Sequence, residues 1–168
     1  RKPIKGWGTT SIIKRAIAQD QVDIRLHQIR DYSHNKHHNI DDTPYGGGVG
    51  MLMTFPPFYD VIAKLKTKGS IVIYLSPQGK LFNQKITTKL SKSKHLILLC
   101  GHYEGIDARV EALIDMELSI GDYILTGGEI PAMIVADAVT RLLPGVIHED
   151  SAEEDSLQNG WLKFPQYT

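Results

Sequence analysis

Ile71-Val-Ile-Tyr-Leu-Ser-Pro-Gln-Gly79 is the stretch that decides the fold. Five consecutive apolar residues, three of them β-branched, stop at a Ser-Pro-Gln-Gly loop. A run that is apolar at both parities belongs to a strand covered on both faces, as in a parallel sheet. Working outward, Leu96 to Cys100 and Leu118 to Leu125 repeat the pattern. Helix-like segments at 84–93, 104–113 and 129–143 lie between and after these runs, the last ended by Pro144-Gly145. Upstream, 11–19 and 57–66 read as helices, Val22 to Ile29 alternates as a half-exposed strand, and 31–50 is a polar and then glycine-rich loop. Alternating strand and helix predicts an α/β fold of three layers, a mostly parallel sheet flanked by helices.

Each apolar run ends in small or special residues: Ser76-Pro-Gln-Gly79, Gly101-His-Tyr-Glu-Gly105 and Thr126-Gly-Gly128. Ligands of open parallel sheets bind beyond the carboxyl ends of the strands, so three such loops are expected to converge on one site. The third is the richest. Gly121, Gly127 and Gly128 fall within eight residues, which suggests a pocket built from bare backbone. A helix then starts at once, with Glu129 in its first turn and Pro131 where a missing N–H has no partner to lose.

At 168 residues the chain fits one domain with a core large enough to fold without staples. Its single cysteine, Cys100, has no internal disulfide partner, which favours a reducing cytoplasm, and no apolar run approaches the length of a membrane span. Formal charge balances, with 19 Lys and Arg against 19 Asp and Glu, but the charges are segregated. Between Val61 and Tyr103 there is no carboxylate, while Lys64, Lys66, Lys68, Lys80, Lys85, Lys89, Lys92 and Lys94 fall there. Such a stretch is either a lysine-solvated surface or a contact for a polyanion. Negative charge concentrates instead at Glu149, Asp150, Glu153, Glu154 and Asp155.

Five segments carry a resemblance: Asp42-Thr-Pro-Tyr-Gly-Gly-Gly-Val-Gly-Met51, Tyr74-Leu-Ser-Pro-Gln-Gly79, Leu99-Cys-Gly-His-Tyr-Glu-Gly-Ile-Asp107, Ser119-Ile-Gly-Asp-Tyr-Ile-Leu-Thr-Gly-Gly-Glu-Ile-Pro-Ala132 and Arg141-Leu-Leu-Pro-Gly-Val146, with Glu154-Asp-Ser156 beyond. Together they resemble, in order, the bacterial tRNA (guanine-N1)-methyltransferases of the SPOUT superfamily, which modify guanine 37 beside the anticodon. The resemblance implies a deep trefoil knot, a homodimer with active sites at the subunit interface, and S-adenosylmethionine as methyl donor. It places the cofactor on Tyr74, Leu75, Ser76, Pro77, Gln78 and Gly79; on Gly101, Tyr103 and Glu104; on Ile120, Gly121, Asp122, Tyr123, Ile124 and Leu125; and on Gly127, Gly128 and Pro131. Gly46, Gly47, Gly48 and Gly50 would lie near the target guanine, where bulky side chains would block a splayed base. The family's dependence on magnesium makes Glu104 a candidate for holding that ion near the methionine carboxylate. The segment 1–147 is then the SPOUT domain, its first strand not recognisable in Arg1 to Thr10, and 148–168 is an interdomain linker. The family's helical tRNA-gripping domain is expected to be absent from this chain. His102 stands where the family usually has Arg.

Transfer to N1 of guanine needs a general base, because N1 keeps its proton at neutral pH. Charge then develops on O6 and needs a cationic or hydrogen-bonding partner. The resemblance assigns Asp155 as the base and Arg141 as the O6 partner, a planar, permanently charged donor. Plainer readings exist for each residue. Arg141 stands four residues after Asp137 and could pair with it, Asp155 could be one more solvated acid, and Glu104 and Asp107 could serve a helix dipole. His34, His37 and His38 lack a cysteine or a second cluster and read as an exposed or RNA-facing loop rather than zinc ligands. Gly46-Gly-Gly48 is followed by no Gly-Lys-Ser/Thr, which rules out a P-loop. Tyr32 and Tyr45 could stack on bases or pack in the core. Competing functions are a cofactor- and RNA-binding dimerisation module without catalysis, and a SPOUT enzyme acting on ribose 2′-hydroxyls.

Overall fold

The computed structural model describes residues 6–9, 11–102, 104–148, 156–157, 160–165 and 168. The chain forms two compact units, residues 25–81 with 93–132, and residues 1–24 with 82–92 and 133–168.

The first of these holds the sheet. Strand β3 (Ser70–Leu81) is central, with β4 (His95–Cys100) on one side and β5 (Met116–Ser119) on the other, all parallel. Ser70 pairs with His95 and Leu75 with Cys100, while Ile73 pairs with Met116. Val72 and Ile73 have opposite parity and are both fully buried, as the unbroken apolar run requires. Asp115 locks the start of β5 onto β3, its N–H donating to Val72 O at 2.9 Å and its carboxylate accepting from Val72 N at 2.8 Å.

Helix α2 (Phe55–Leu65) covers one face of this sheet. Its prolines sit in the first turn, where their missing N–H groups have no intrahelical acceptor. Phe58, Val61 and Ile62 form a stripe that packs on Val72, Ile97 and Leu99, with Met53 and Val110 closing the core. A two-residue antiparallel ladder, β1 (Asp41–Asp42) with β2 (Leu52–Met53), braces the loop that follows β4. Met53 N donates to Gly105 O at 3.0 Å, and Asp107 N donates to Met53 O at 2.8 Å.

In the second unit, α1 (Ser11–Ala18) buries Ile13 and Ala16, and α3 (Gln84–Leu90) buries Ile86, Thr87 and Leu90. The Asn83 side chain caps α3 by accepting from Ile86 N at 3.0 Å. Helix α4 (Glu129–Arg141) crosses from one unit to the other and buries Val135, Val139 and Thr140 in its later turns. The chain beyond it turns at Gly145, and Gln21 Nε2 donates to Pro144 O at 3.1 Å.

Four sequence expectations change. Val22 to Ile29 forms no strand: no described strand lies alongside it, and Leu26, which alternation would turn inward, is 48% exposed. The strand expected over Leu118 to Leu125 ends at Ser119, because its partner β3 ends with the pair Leu81–Ser119 and leaves nothing for the ladder to continue on. The helix expected over 104–113 is a 3-10 helix over Ala108–Leu113, since Gly105 has φ of 127° and cannot be helical, and Asp107 caps the start. The helix expected over 84–93 stops at Leu90 and is followed by a turn.

Candidate functional site

The three loops picked out in the sequence belong to the sheet-bearing unit, and the structure builds them from the strand ends. Ser76 to Gly79 is a bulge inside β3 rather than a loop after it. Leu75 and Lys80 both pair with Leu118, so the four residues between them are pushed out of the ladder. Glu117 on β5 fixes the shape of this bulge. Ser76 Oγ donates to Glu117 Oε1 at 2.5 Å and accepts from Gln78 N at 3.0 Å. Gly79 then lies directly on β5, where an added Cβ would stand 2.5 Å from Leu118 N.

The second and third loops meet through backbone. Gly128 N donates to Gly101 O at 3.0 Å, and a Cβ on Gly128 would stand 2.7 Å from Cys100 Cα. A side-chain bond adds to this, His102 Nε2 to Glu129 Oε1 at 2.5 Å, tying the loop after β4 to the first turn of α4. Within the third loop, Ser119 Oγ accepts from Gly121 N at 3.2 Å and donates to Gly121 O at 3.0 Å. Ile124 and Tyr123 project outward, 78% and 54% exposed. Backbone polar groups therefore line one region at the carboxyl ends of β3, β4 and β5. Glycines occupy the points where a methyl group would collide. The glycines let these loops and strand ends pack closely on one another, and the region they form is the candidate cradle for a flat ligand.

Burial perturbs two groups beside these loops. It is the main cause that raises the Tyr74 phenol above its usual range, with the Glu117 charge second. Burial also pushes the Cys100 thiol up to about 12, with Glu129 adding to the shift. Cys100 is thus a protonated packing residue at neutral pH rather than a nucleophile.

Glu104, expected to open a helix over 104–113, lies outside the 3-10 helix that forms there. Its N–H donates to Met51 O at 3.1 Å, and its side chain packs against Gly50, where an added Cβ would collide with Glu104 Cγ. The glycine-rich segment and the loop after β4 are therefore brought together. Gly46 and Gly47 have open space where a Cβ would stand. Among the described residues no group of three or more His, Cys, Asp or Glu side chains could hold a metal ion, so Glu104 gathers no companion ligands. Asp107 instead accepts from Arg109 N at 2.9 Å and pairs with its guanidinium at 2.7 Å, which holds its carboxyl below the usual range. Tyr103 and Asp155 lie outside the described residues.

Arg141 belongs to the other unit, in the last turn of α4. With Gln84, Ala138 and Ser156 it lines a cavity of about 240 Å³. Asp137, the plainer partner for Arg141, accepts from Trp7 Nε1 at 3.4 Å.

The family model described as tRNA (Guanine-1)-methyltransferase TrmD matches residues 2–168. The chain belongs to the TrmD family. It is 59% identical over 165 residues to the tRNA (guanine-N(1)-)-methyltransferase of Aster yellows witches'-broom phytoplasma (strain AYWB), covering 98% of this chain and 68% of the relative. The protein of that name from Onion yellows phytoplasma (strain OY-M) is 61% identical with the same coverage. That of Acholeplasma laidlawii (strain PG-8A) is 60% identical over 161 residues, covering 95% of this chain and 66% of the relative. Within this TrmD chain, Glu117 and Ser119 shape these loops, and sequence reading gave neither a role. Their signal was faint: a lone carboxylate and a hydroxyl inside an otherwise apolar strand.

Proposed function

We propose that this TrmD chain transfers a methyl group from S-adenosylmethionine to N1 of guanine 37 in tRNA. The observation that carries the reading is the glycine-floored cradle at the strand ends, where Gly79 presses on β5 and Gly128 N bonds Gly101 O. Bound there, S-adenosylmethionine supplies an electrophilic methyl group. The chain's own task is to hold the cofactor against backbone from Tyr74 to Gly79, Gly101 to Glu104, Ile120 to Leu125 and Gly127 to Pro131, and to manage a proton and a charge. Asp155 takes the N1 proton of guanine, and Arg141 donates to O6 as negative charge moves onto it. The Gly46 to Gly50 segment, packed through Gly50 on Glu104, leaves room for a base turned out of its stack. The exposed Tyr123 and Ile124 support the homodimer, because apolar side chains beside a site usually have a partner surface. The knotted SPOUT topology belongs to the same reading.

The test is calorimetric binding of S-adenosylmethionine together with transfer of its labelled methyl group to a tRNA transcript. Asp155→Asn should bind cofactor like the parent and lose at least about a hundredfold in transfer, the usual contribution of a general base. Equal transfer by parent and variant would remove Asp155 from the mechanism. Cofactor binding without any transfer by the parent would leave the non-catalytic module as the function.

A further inference from the structure

Helix α3 and the turn after it carry cations that the methyl-transfer chemistry does not use. Lys85, Lys89 and Lys92 are spaced by four and three residues, which places them on one helical face. The helix ends at Leu90, but Ser91 N donates to Thr87 O at 2.9 Å and Lys92 N to Lys89 O at 3.4 Å, so the winding carries through Lys92. Burial of Ile86, Thr87 and Leu90 fixes which way the helix faces and leaves all three lysines exposed. None of the three has an ion pair or a hydrogen bond from its side chain among the described residues. Like charges at this spacing repel one another. No carboxylate between Val61 and Tyr103 relieves them, although the chain has 19 acidic residues to distribute. Gln84, next to Lys85 in the chain, lines the cavity that contains Arg141. The cationic row therefore begins one residue along the chain from a residue that lines the cavity and extends for about 10 Å, at 1.5 Å of helix per residue.

We propose that Lys85, Lys89 and Lys92 form a phosphate-contacting face for the RNA strand that flanks the base entering the Arg141 cavity. The proposal rests on the reading of that cavity as the guanine site. Lysine ammonium groups act as mobile point charges and read no sequence, so this face supplies affinity and register, while base identity is chosen in the cavity.

The experiment compares the parent with Lys85→Gln/Lys89→Gln/Lys92→Gln, exposed changes that remove the charge and keep an unbranched polar side chain of similar helix propensity. Binding of a tRNA transcript is measured across a potassium chloride series, along with binding of S-adenosylmethionine. Loss of three phosphate contacts should flatten the slope of log affinity against log salt by about 2, at roughly 0.7 to 0.9 per contact. KM for tRNA should rise with kcat within about twofold, cofactor affinity should not change, and arginine at the three positions should restore the slope. A transcript with adenine at position 37 should show the same lysine-dependent slope. That arm separates the two readings: a parent that methylates nothing but keeps a lysine-dependent slope defeats the guanine site and leaves the phosphate face standing. A triple variant with the parental slope, or a parent that binds no RNA, would overturn the phosphate face.

Discussion

Gly79 shows how closely the bulge in β3 is fitted to the sheet. A methyl group there would stand 2.5 Å from the main-chain nitrogen of Leu118, which cannot move without breaking β5. Gly79→Ala should lower stability in urea denaturation by about 1 to 3 kcal/mol, the range for overpacking, and weaken S-adenosylmethionine binding along with it. Glu117 acts on the same bulge through one hydroxyl. Glu117→Ala removes the acceptor for Ser76 Oγ, and with it the support of Gln78 N. The expected result is weaker cofactor binding at near-parental stability, partly rescued by Glu117→Gln; unchanged binding in both variants would show that the bulge keeps its shape unaided. Cys100 offers a third test. With its thiol pushed up to about 12, maleimide labelling at pH 8 should be about a thousandfold slower than for a free cysteine of pKa about 8.5. Rapid labelling would mean that the loop over Cys100 opens. The glycines were legible as signals, because bare backbone shows in the sequence. Glu117 was not, because a lone acid next to an apolar run looks like a strand end until its partner across the sheet is known.

At the scale of elements, apolar runs and local caps decided what could be read. The runs at 71–75 and 96–100 are unbroken by any charged residue, glycine or proline and became β3 and β4; Phe55–Leu65 and Glu129–Arg141 carry helical patterns with prolines in their first turns. Misreadings fall where pairing overrides pattern. Val22 to Ile29 alternates but has no described strand beside it, and Ile120 to Leu125 continues the run after Leu118 but lies past the end of β3. The 3-10 helix at Ala108–Leu113 hangs on the Asp107 cap and its Arg109 partner. Because the folded-state pKa of Asp107 is lowered, its carboxylate adds stability above its unfolded value of about 3.9, and that stability is lost as pH falls through the lower folded value. Thermal melts of parent and Asp107→Asn, which keeps a capping side chain, should differ at pH 7 and converge as the pH drops below about 4. The pair is exposed, so salt should narrow the difference as well. A difference independent of pH would assign the cap to hydrogen-bond geometry alone.

On the scale of the whole molecule, zero net charge conceals a division of labour. Lysine occupies the stretch from Val61 to Tyr103, and acids gather after Glu149. Composition alone therefore says little about partners, while the order of charges along the chain points to a polyanion. Membership of the TrmD family fits that order, and the chain spans about two thirds of the relatives it matches. No helix among the described residues is long and apolar enough to cross a membrane. The central claim is that the glycine-floored cradle serves methylation of one guanine at N1. It is tested most directly by incubating the chain with S-adenosylmethionine and a tRNA transcript, digesting the product, and locating the methyl group by mass spectrometry. N1-methylguanine at position 37, lost when that guanine is replaced by adenine, is the predicted result. A methyl group on a ribose 2′-hydroxyl, or on guanines elsewhere in the transcript, would contradict it.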